Sequence, residues 1–296
     1  NYMEVTGLTK SNDMIDGVKV FDSENGEEMV VKGRAVINAT GVFADDVMKM
    51  EDPTAKRKIV PSQGVHLVLD KDFLPGKTAI MIPQTSDGRV LFAVPWSGKV
   101  VLGTTDTAIE EASLEPRALE EEVEFILTTA RQYLKKDPAR EDVRSVFAGL
   151  RPLAAPEGEG KSTKEISRGH KLMVTISGLI TITGGKWTTY RKMGEDTVDK
   201  AALVAGLEEL PCRTKNMRIH GWLRNADKKD PLHAYGSDAI AITKIIEKDP
   251  PLAEKLHQRL PFIKAQVVWA ARSEMARTVE DVLARRVRAL FLDAQA

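Results

Sequence analysis

Two stretches of the sequence carry residue types suited to holding negative charge. From Leu179 to Arg191 (Leu-Ile-Thr-Ile-Thr-Gly-Gly-Lys-Trp-Thr-Thr-Tyr-Arg) a β-branched run ends on two glycines, and a helical pattern begins almost at once. Glycines at such a corner let a ligand approach the backbone, and the first turn of a helix offers unpaired N–H groups and a partial positive charge. A phosphate or a reduced cofactor ring would be stabilised there. Glycine pairs also serve plain strand–turn–helix corners, so this segment alone leaves both readings open. The second stretch is Phe147 to Leu153 (Phe-Ala-Gly-Leu-Arg-Pro-Leu), where Arg151 stands between apolar residues and a proline. A partly buried guanidinium needs a partner, and its fixed fork suits bidentate grip of phosphate or carboxylate. A structural ion pair is the alternative.

His66 interrupts the apolar alternation of Val65, Leu67 and Leu69 and faces the other side of its strand. A lone strand histidine serves structure more often than proton transfer, and its role is open at this point. His170, His220, His233 and His257 fall in loops or polar helical contexts without metal-ligand spacing. No Ser-His-Asp order, paired-carboxylate signature or P-loop is visible.

The elements that must position these residues are legible from pattern. Val18–Phe21 and Met29–Val31 flank Asn25-Gly26, a hairpin signal because both residues tolerate positive φ. Ala35–Asn38 reads as a short strand entering Ala39-Thr40-Gly41 and a helix over Ala44–Met50. Short strands then repeat around Val65–Leu69, Ala79–Ile82, Val90–Trp96 and Val100–Leu102, with turns at Pro75-Gly76, Asp87-Gly88 and Ser97-Gly98, as in an antiparallel meander. The spacing predicts a helix over Glu115–Lys136, with Pro116 in its first turn. Leu172–Ile176 and Leu179–Thr183 form a second hairpin about Ser177-Gly178, followed by a helix over Thr188–Ala205 closed by Gly206. Further helices are expected over Ser237–Lys248, Pro251–Leu260, Ala265–Glu274 and Thr278–Asp293, the last opened by a capping box of Thr278 and Asp281. Glu157–Lys164, rich in glycine, serine and charge, reads as a mobile loop.

Composition sets the outer limits. The chain has 296 residues, 42% hydrophobic and 29% charged, which fits one large domain or about two ordinary ones with a sizeable core. Its 43 basic and 43 acidic side chains cancel, so no global field argues for nucleic acid. A single cysteine, Cys212, excludes an intramolecular disulfide and suits a reducing compartment. No stretch approaches the roughly 18 apolar residues of a membrane span, and Asn1–Lys10 has no apolar leader pattern. The expectation is a cytoplasmic protein, with peripheral attachment to the inner face of the cell membrane left open.

Five segments in order carry a resemblance: Val36–Asp45 (Val-Ile-Asn-Ala-Thr-Gly-Val-Phe-Ala-Asp), Pro61–Leu67 (Pro-Ser-Gln-Gly-Val-His-Leu), Pro95-Trp96 with Gly103–Asp106 (Gly-Thr-Thr-Asp), Ala148–Leu153, and Gly184–Arg191. Each is modest alone; together they resemble the FAD-dependent glycerol-3-phosphate dehydrogenase family, within the flavoprotein group that includes D-amino-acid oxidase. The helical end, Glu274–Arg286, looks like that family's C-terminal domain. The resemblance implies an α/β plus α fold: a partial FAD-binding domain of the D-amino-acid-oxidase type (1–50 and 145–206), an antiparallel β-sheet substrate cap (51–144) and a C-terminal all-helical domain (207–296). It implies FAD as cofactor, with Ala39, Thr40, Gly41, Gly184, Gly185, Lys186, Trp187 and Thr188 along it. It implies that Arg151 holds the substrate phosphate, that Lys186 also reaches substrate, and that His66 lies near the substrate hydroxyl as a proton acceptor.

The expected reaction is oxidation of sn-glycerol 3-phosphate to dihydroxyacetone phosphate, with electrons passed to a quinone or similar acceptor. The stretch between Arg151 and Lys186 leaves little room for the insertion that the family's oxidase branch carries there, which favours a dehydrogenase. Nothing matches the Gly-x-Gly-x-x-Gly loop that cradles a dinucleotide pyrophosphate. The chain therefore reads as the C-terminal portion of an enzyme, expected alone to bind FAD poorly and to be inactive. Two rivals stand beside this reading. In a flavin-dependent amine or amino-acid oxidase Arg151 would grip a carboxylate. In a helical interaction or membrane-docking module the basic stripe Arg272, Arg277, Arg285, Arg286 and Arg288 would do the work.

Overall fold

Backbone order follows the turn residues closely. The computed structural model describes residues 1–83, 85, 88–155 and 169–296; the expected mobile loop Glu157–Lys164 and Asp87 of the expected Asp87-Gly88 turn lie outside them. In chain order the elements are β1 (Met3–Ser11), β2 (Met14–Asp22), β3 (Glu27–Lys32), β4 (Val36–Asn38), α1 (Ala44–Glu51), β5 (Ile59–Asp70), β6 (Ile80–Ile82), β7 (Leu91–Trp96), β8 (Lys99–Gly103) and β9 (Thr107–Ala108). They continue with α2 (Glu120–Arg131), β10 (Ser145–Ala154), β11 (His170–Val174), β12 (Leu179–Gly184), α3 (Tyr190–Val204), α4 (Ala239–Lys248), α5 (Lys264–Ser273) and α6 (Ala289–Leu292).

The chain divides into two units. The first comprises Asn1–Gly64, Asp106–Pro116 and Gly149–Met217, within the described residues. Its N-terminal sheet runs β1-β2-β3, antiparallel throughout, with Gly26 at φ 74° in the hairpin. A second sheet runs β11-β12-β4. Its hairpin turns at Gly178, φ 88°, while β12 lies parallel to β4 with Leu179 beside Val36 and Thr181 beside Asn38. Ile15, Val47 and Leu179 are its buried apolar centre. Helix α3 ends in a Schellman motif: Leu207 N–H donates to the Ala202 carbonyl and Gly206 N–H to that of Leu203, with Gly206 at φ 61°.

The second unit comprises Val65–Thr105, Arg117–Ala148 and Arg218–Ala296, so most of the expected cap shares a unit with most of the helical C-terminal segment, while 51–64, 106–116 and 207–217 fall in the first. Its meander places β5 beside β8, β8 beside β7 and β7 beside β6, all antiparallel. Alternation then sorts the side chains. Val65, Leu67, Leu69, Leu91, Ala93, Val100 and Leu102 make one buried face, covered by Val123, Ile126, Leu127 and Ala130 of α2. His66 points to the opposite face, as its place in the alternation requires.

Three helical expectations need correction. Helix α2 starts at Glu120 rather than near Pro116, because Leu119 is extended (ψ 150°) and its N–H donates to the Glu122 carboxylate at 2.9 Å, which closes the first turn there. Pro251–Leu260 is not a helix. A single turn over Pro250–Ala253 gives way to extended Glu254, and the next backbone groups pair across a bend, Leu256 N–H to the Phe262 carbonyl and Lys264 N–H to that of Glu254. The predicted Thr278–Asp293 helix is broken at Arg288, whose φ of 60° is left-handed, after a wide turn over Asp281–Arg286. Its start agrees with expectation: Thr278 N–H donates to Asp281 and Asp281 N–H to the Thr278 hydroxyl, both at 3.1 Å. Strand β1 is a further difference, since its mixed residues carry no clear alternation.

Asp70, at the end of β5, ties several segments of the second unit. It accepts Lys99 Nζ at 2.7 Å and Arg144 Nε at 2.8 Å, and Lys99 also lies 3.6 Å from the buried Asp293 carboxylate. Burial by itself pushes the Asp70 carboxyl up, but the hydrogen bonds from Lys99 and Arg144 outweigh it and hold the group below its ordinary 3.8. A depressed carboxylate stabilises the fold above the unfolded pKa, and that contribution is lost as pH falls through the folded value. Asp70→Asn is therefore expected to lower unfolding free energy by about 1 kcal/mol near neutral pH, the pair being partly solvent-screened. The gap to the parent should close as pH drops below 3.8, which urea melts at neutral and strongly acid pH would show.

Candidate functional site

Because β4 and β12 are parallel, their carboxyl ends emerge on the same edge of the sheet, where open α/β sheets bind ligands. Asn38, 1% exposed, closes β4 and fastens the loop beyond it. Its Nδ2 donates to the Ala44 carbonyl at 2.9 Å and to Thr181 Oγ1 at 3.3 Å, and its Oδ1 accepts the Thr40 hydroxyl at 2.7 Å. Residues Ala39-Thr40-Gly41 are thereby pinned while Ala39 and Thr40 stay exposed. Gly41 has φ 62°, and a side chain there would meet nothing within 4 Å, so the backbone faces open space. This is the room a flat cofactor needs against a strand end.

At the end of β12, Gly184 (φ 71°) and Gly185 (φ 85°) both take the left-handed conformation. A Cβ on Gly184 would stand 2.7 Å from the Gly169 carbonyl oxygen, and one on Gly185 would strike the Met193 side chain. These glycines are required by the chain's own packing. His170, which pairs with Gly184 across the hairpin, meets Asp196 of α3 at 2.9 Å. Hydrogen bonds from Lys192 and then His170 hold the Asp196 carboxyl below its usual range. Lys186, Trp187 and Thr188 follow in a tight turn into α3, all exposed; Trp187 is 84% exposed and stacks on Tyr190 with ring centroids 5.1 Å apart. Ala39–Gly41 and Gly184–Thr188 thus come to one edge.

Arg151 is in the same unit, on β10. Its guanidinium lies across Gly64: a Cβ built on that glycine would sit 2.6 Å from Nη1 and 2.7 Å from Cζ. Nη1 stands 3.7 Å from the Asp106 carboxylate, which in turn accepts the hydroxyl of the fully buried Ser62. Sequence reasoning did not single out Gly64, Ser62 or Asp106 as site residues. Their only local signal is their place inside the Pro61–Leu67 and Gly103–Asp106 motifs.

His66 belongs to the second unit. It pairs with Gly103 across β5 and β8, and its imidazole covers that glycine closely enough to exclude a Cβ. The ring stacks on Phe147 at 5.0 Å and 13°, and Phe147 meets Phe291 edge-on at 4.9 Å. A cavity of about 780 Å³ opens before it, lined by Phe92, Trp96, Thr104, Arg285 and Arg288 among others. Of the basic stripe, Arg285 pairs with Glu280 at 2.8 Å and Arg286 Nε donates to the Glu274 carbonyl at 2.8 Å. Among the described residues no cluster of His, Cys, Asp or Glu could hold a metal, and no helix is long and apolar enough to cross a membrane.

Comparison with known proteins fits this geometry. The profile of the family described as FAD dependent oxidoreductase matches residues 1–191, and that of the C-terminal domain of alpha-glycerophosphate oxidase matches residues 180–296. The chain belongs to the FAD dependent oxidoreductase family. It is 39% identical, over its whole length, to a probable mitochondrial glycerol-3-phosphate dehydrogenase of Caenorhabditis elegans, covering 44% of that protein. It is 36% identical over its whole length to the human mitochondrial glycerol-3-phosphate dehydrogenase, again covering 44%. Among solved structures it is similar to the glycerol-3-phosphate dehydrogenase of Bacillus halodurans complexed with FAD, with a TM-score of 0.83 and 30% identity over 99% of this chain and 61% of that one. The chain thus spans about half the length of the curated relatives it matches. Its fold is that of an FAD-dependent oxidoreductase with antiparallel sheets and a C-terminal helical segment, as the five motifs imply.

For this FAD dependent oxidoreductase the Gly64–Arg151 contact makes a direct prediction. The atoms a new Cβ would meet are the far end of a flexible side chain, so Gly64→Ala should fold with stability within about 1 kcal/mol of the parent. The guanidinium, however, must leave its seat. A crystal structure of the variant should show Arg151 in another rotamer; an unmoved guanidinium would contradict the account.

Proposed function

We propose that the chain is the substrate-side portion of an enzyme that oxidises sn-glycerol 3-phosphate to dihydroxyacetone phosphate. The observation that carries this reading is the likeness over 99% of the chain to a glycerol-3-phosphate dehydrogenase complexed with FAD. The residues fit such a cofactor: an open-faced Gly41 and the exposed turn Lys186–Thr188 stand at the carboxyl ends of parallel strands. In this reading Ala39–Gly41 and Gly184–Thr188 line FAD. When bound, it supplies a two-electron acceptor for the hydride that leaves C2 of the substrate.

The remaining roles belong to side chains of this chain. Arg151 holds the phosphate; its planar fork matches phosphate oxygens, and Lys186 adds a second cation. His66 accepts the proton of the C2 hydroxyl as that carbon becomes a carbonyl. Stacking on Phe147 fixes the plane of its imidazole and therefore the directions of its ring nitrogens. The electrons then pass to a quinone-type acceptor.

The test uses the full-length, FAD-loaded protein under anaerobic conditions. Flavin absorbance should bleach with sn-glycerol 3-phosphate and not with a D-amino acid. Arg151→Ala should weaken the substrate's apparent Kd on the order of 100-fold, the loss typical of truncating one partner of a charge-assisted pair. Bleaching by the D-amino acid alone would move the protein to the amino-acid oxidases.

A further inference from the structure

An acidic residue that faces an anion-binding guanidinium carries a cost: it repels the very ligand the arginine attracts. Yet the local geometry holds Asp106 there from two sides. It follows β8 and precedes β9, the short strand that pairs with β5 through Ser62 beside Ala108 and Gln63 beside Thr107. That pairing fixes the Asp106 backbone next to β5. The hydroxyl of Ser62, a residue with no exposed surface, then donates to Oδ1, so the carboxylate is held from its own side of the contact. The Asp106 side chain is 18% exposed, and the Arg151 side chain facing it at 3.7 Å is 35% exposed.

At 3.7 Å the contact orients by charge rather than by a hydrogen bond. Gly64 lies under the guanidinium, and the Asp106 carboxylate attracts its Nη1 from one side. We propose that Asp106, held by Ser62, is a positioning residue that presets the Arg151 guanidinium for the anionic group of the substrate. This rests on the reading of Arg151 as the phosphate ligand. A long, flexible arginine loses much rotamer freedom when it grips an anion, and a preset fork has already lost it. The repulsion between Asp106 and the substrate is the cost of that order. The two effects have opposite signs, so experiment can tell them apart.

The experiment compares the full-length holoenzyme with Asp106→Asn, Asp106→Glu and Ser62→Ala, following anaerobic flavin reduction by sn-glycerol 3-phosphate and by glycerol, which lacks the phosphate. Asp106→Asn should weaken the Kd for sn-glycerol 3-phosphate on the order of 10-fold, with the limiting reduction rate changed less than about 2-fold and the second-order rate with glycerol unchanged. Asp106→Glu should recover most of the affinity. Ser62→Ala should show the same split at smaller size, and it decides the matter if Asp106→Asn does not fold. Tighter binding in Asp106→Asn would make the aspartate a mere counter-charge and overturn the proposal, as would equal losses with both substrates. If the parent responds to a D-amino acid instead, the functional reading falls. The split is then read between that substrate and its decarboxylated amine, and loss confined to the carboxylate substrate again supports the positioning role, while equal loss overturns it.

Discussion

A guanidinium laid across a glycine Cα is the constraint on which the site depends. Without a Cβ on Gly64, Arg151 can cross from β10 and rest its planar head on β5. Any larger residue would push it out. The neighbouring carboxylate of Asp106 and the buried hydroxyl of Ser62 then complete a bracket whose parts lie far apart in sequence and come together only because β9 and β10 both run beside β5. The strand pairing of this region therefore sets where one cation lies.

The second half of the machinery depends on the direction of two strands. Parallel pairing of β12 with β4 brings Ala39–Gly41 and Gly184–Thr188 to one edge. Asn38 converts that edge into a fixed surface, since its amide spends its hydrogen bonds on Ala44, Thr181 and Thr40 while almost wholly buried. Polar groups used in this way rigidify a loop without covering it. The exposed backbone beyond Asn38 is thus held still, with open space before Gly41, as binding of a flat cofactor demands.

Much of this was legible in the residues. Asn25-Gly26, Ser177-Gly178 and Gly206 mark their turns because positive φ is a property of one residue and needs no tertiary partner. The meander was readable because Val65, Leu67 and Leu69 alternate against one buried face, which also set His66 on the other. The capping pair Thr278 and Asp281 acts within one helical turn, so spacing revealed it. What escaped was non-local. Nothing near Arg151 in sequence points to Gly64 or Asp106. The expected start of α2 near Glu115 rests on Pro116, a residue favoured in first turns, whereas the apolar spacing begins only at Leu119, whose N–H Glu122 captures. Pro251–Leu260 carries helix-compatible residues whose backbone is claimed instead by pairing across the bend to Phe262 and Glu254. Arg288 adopts a left-handed φ that its residue type does not announce. Family resemblance supplied what spacing could not, because it reads the ordered set of motifs as one.

The most direct measurement is a crystal structure of the full-length, FAD-loaded protein with sn-glycerol 3-phosphate bound. The account expects a phosphate oxygen within hydrogen-bonding distance of the Arg151 guanidinium, which should still lie on Gly64 and face Asp106. A phosphate seated instead on Arg285 and Arg288, with Arg151 making no contact to the ligand, would contradict it.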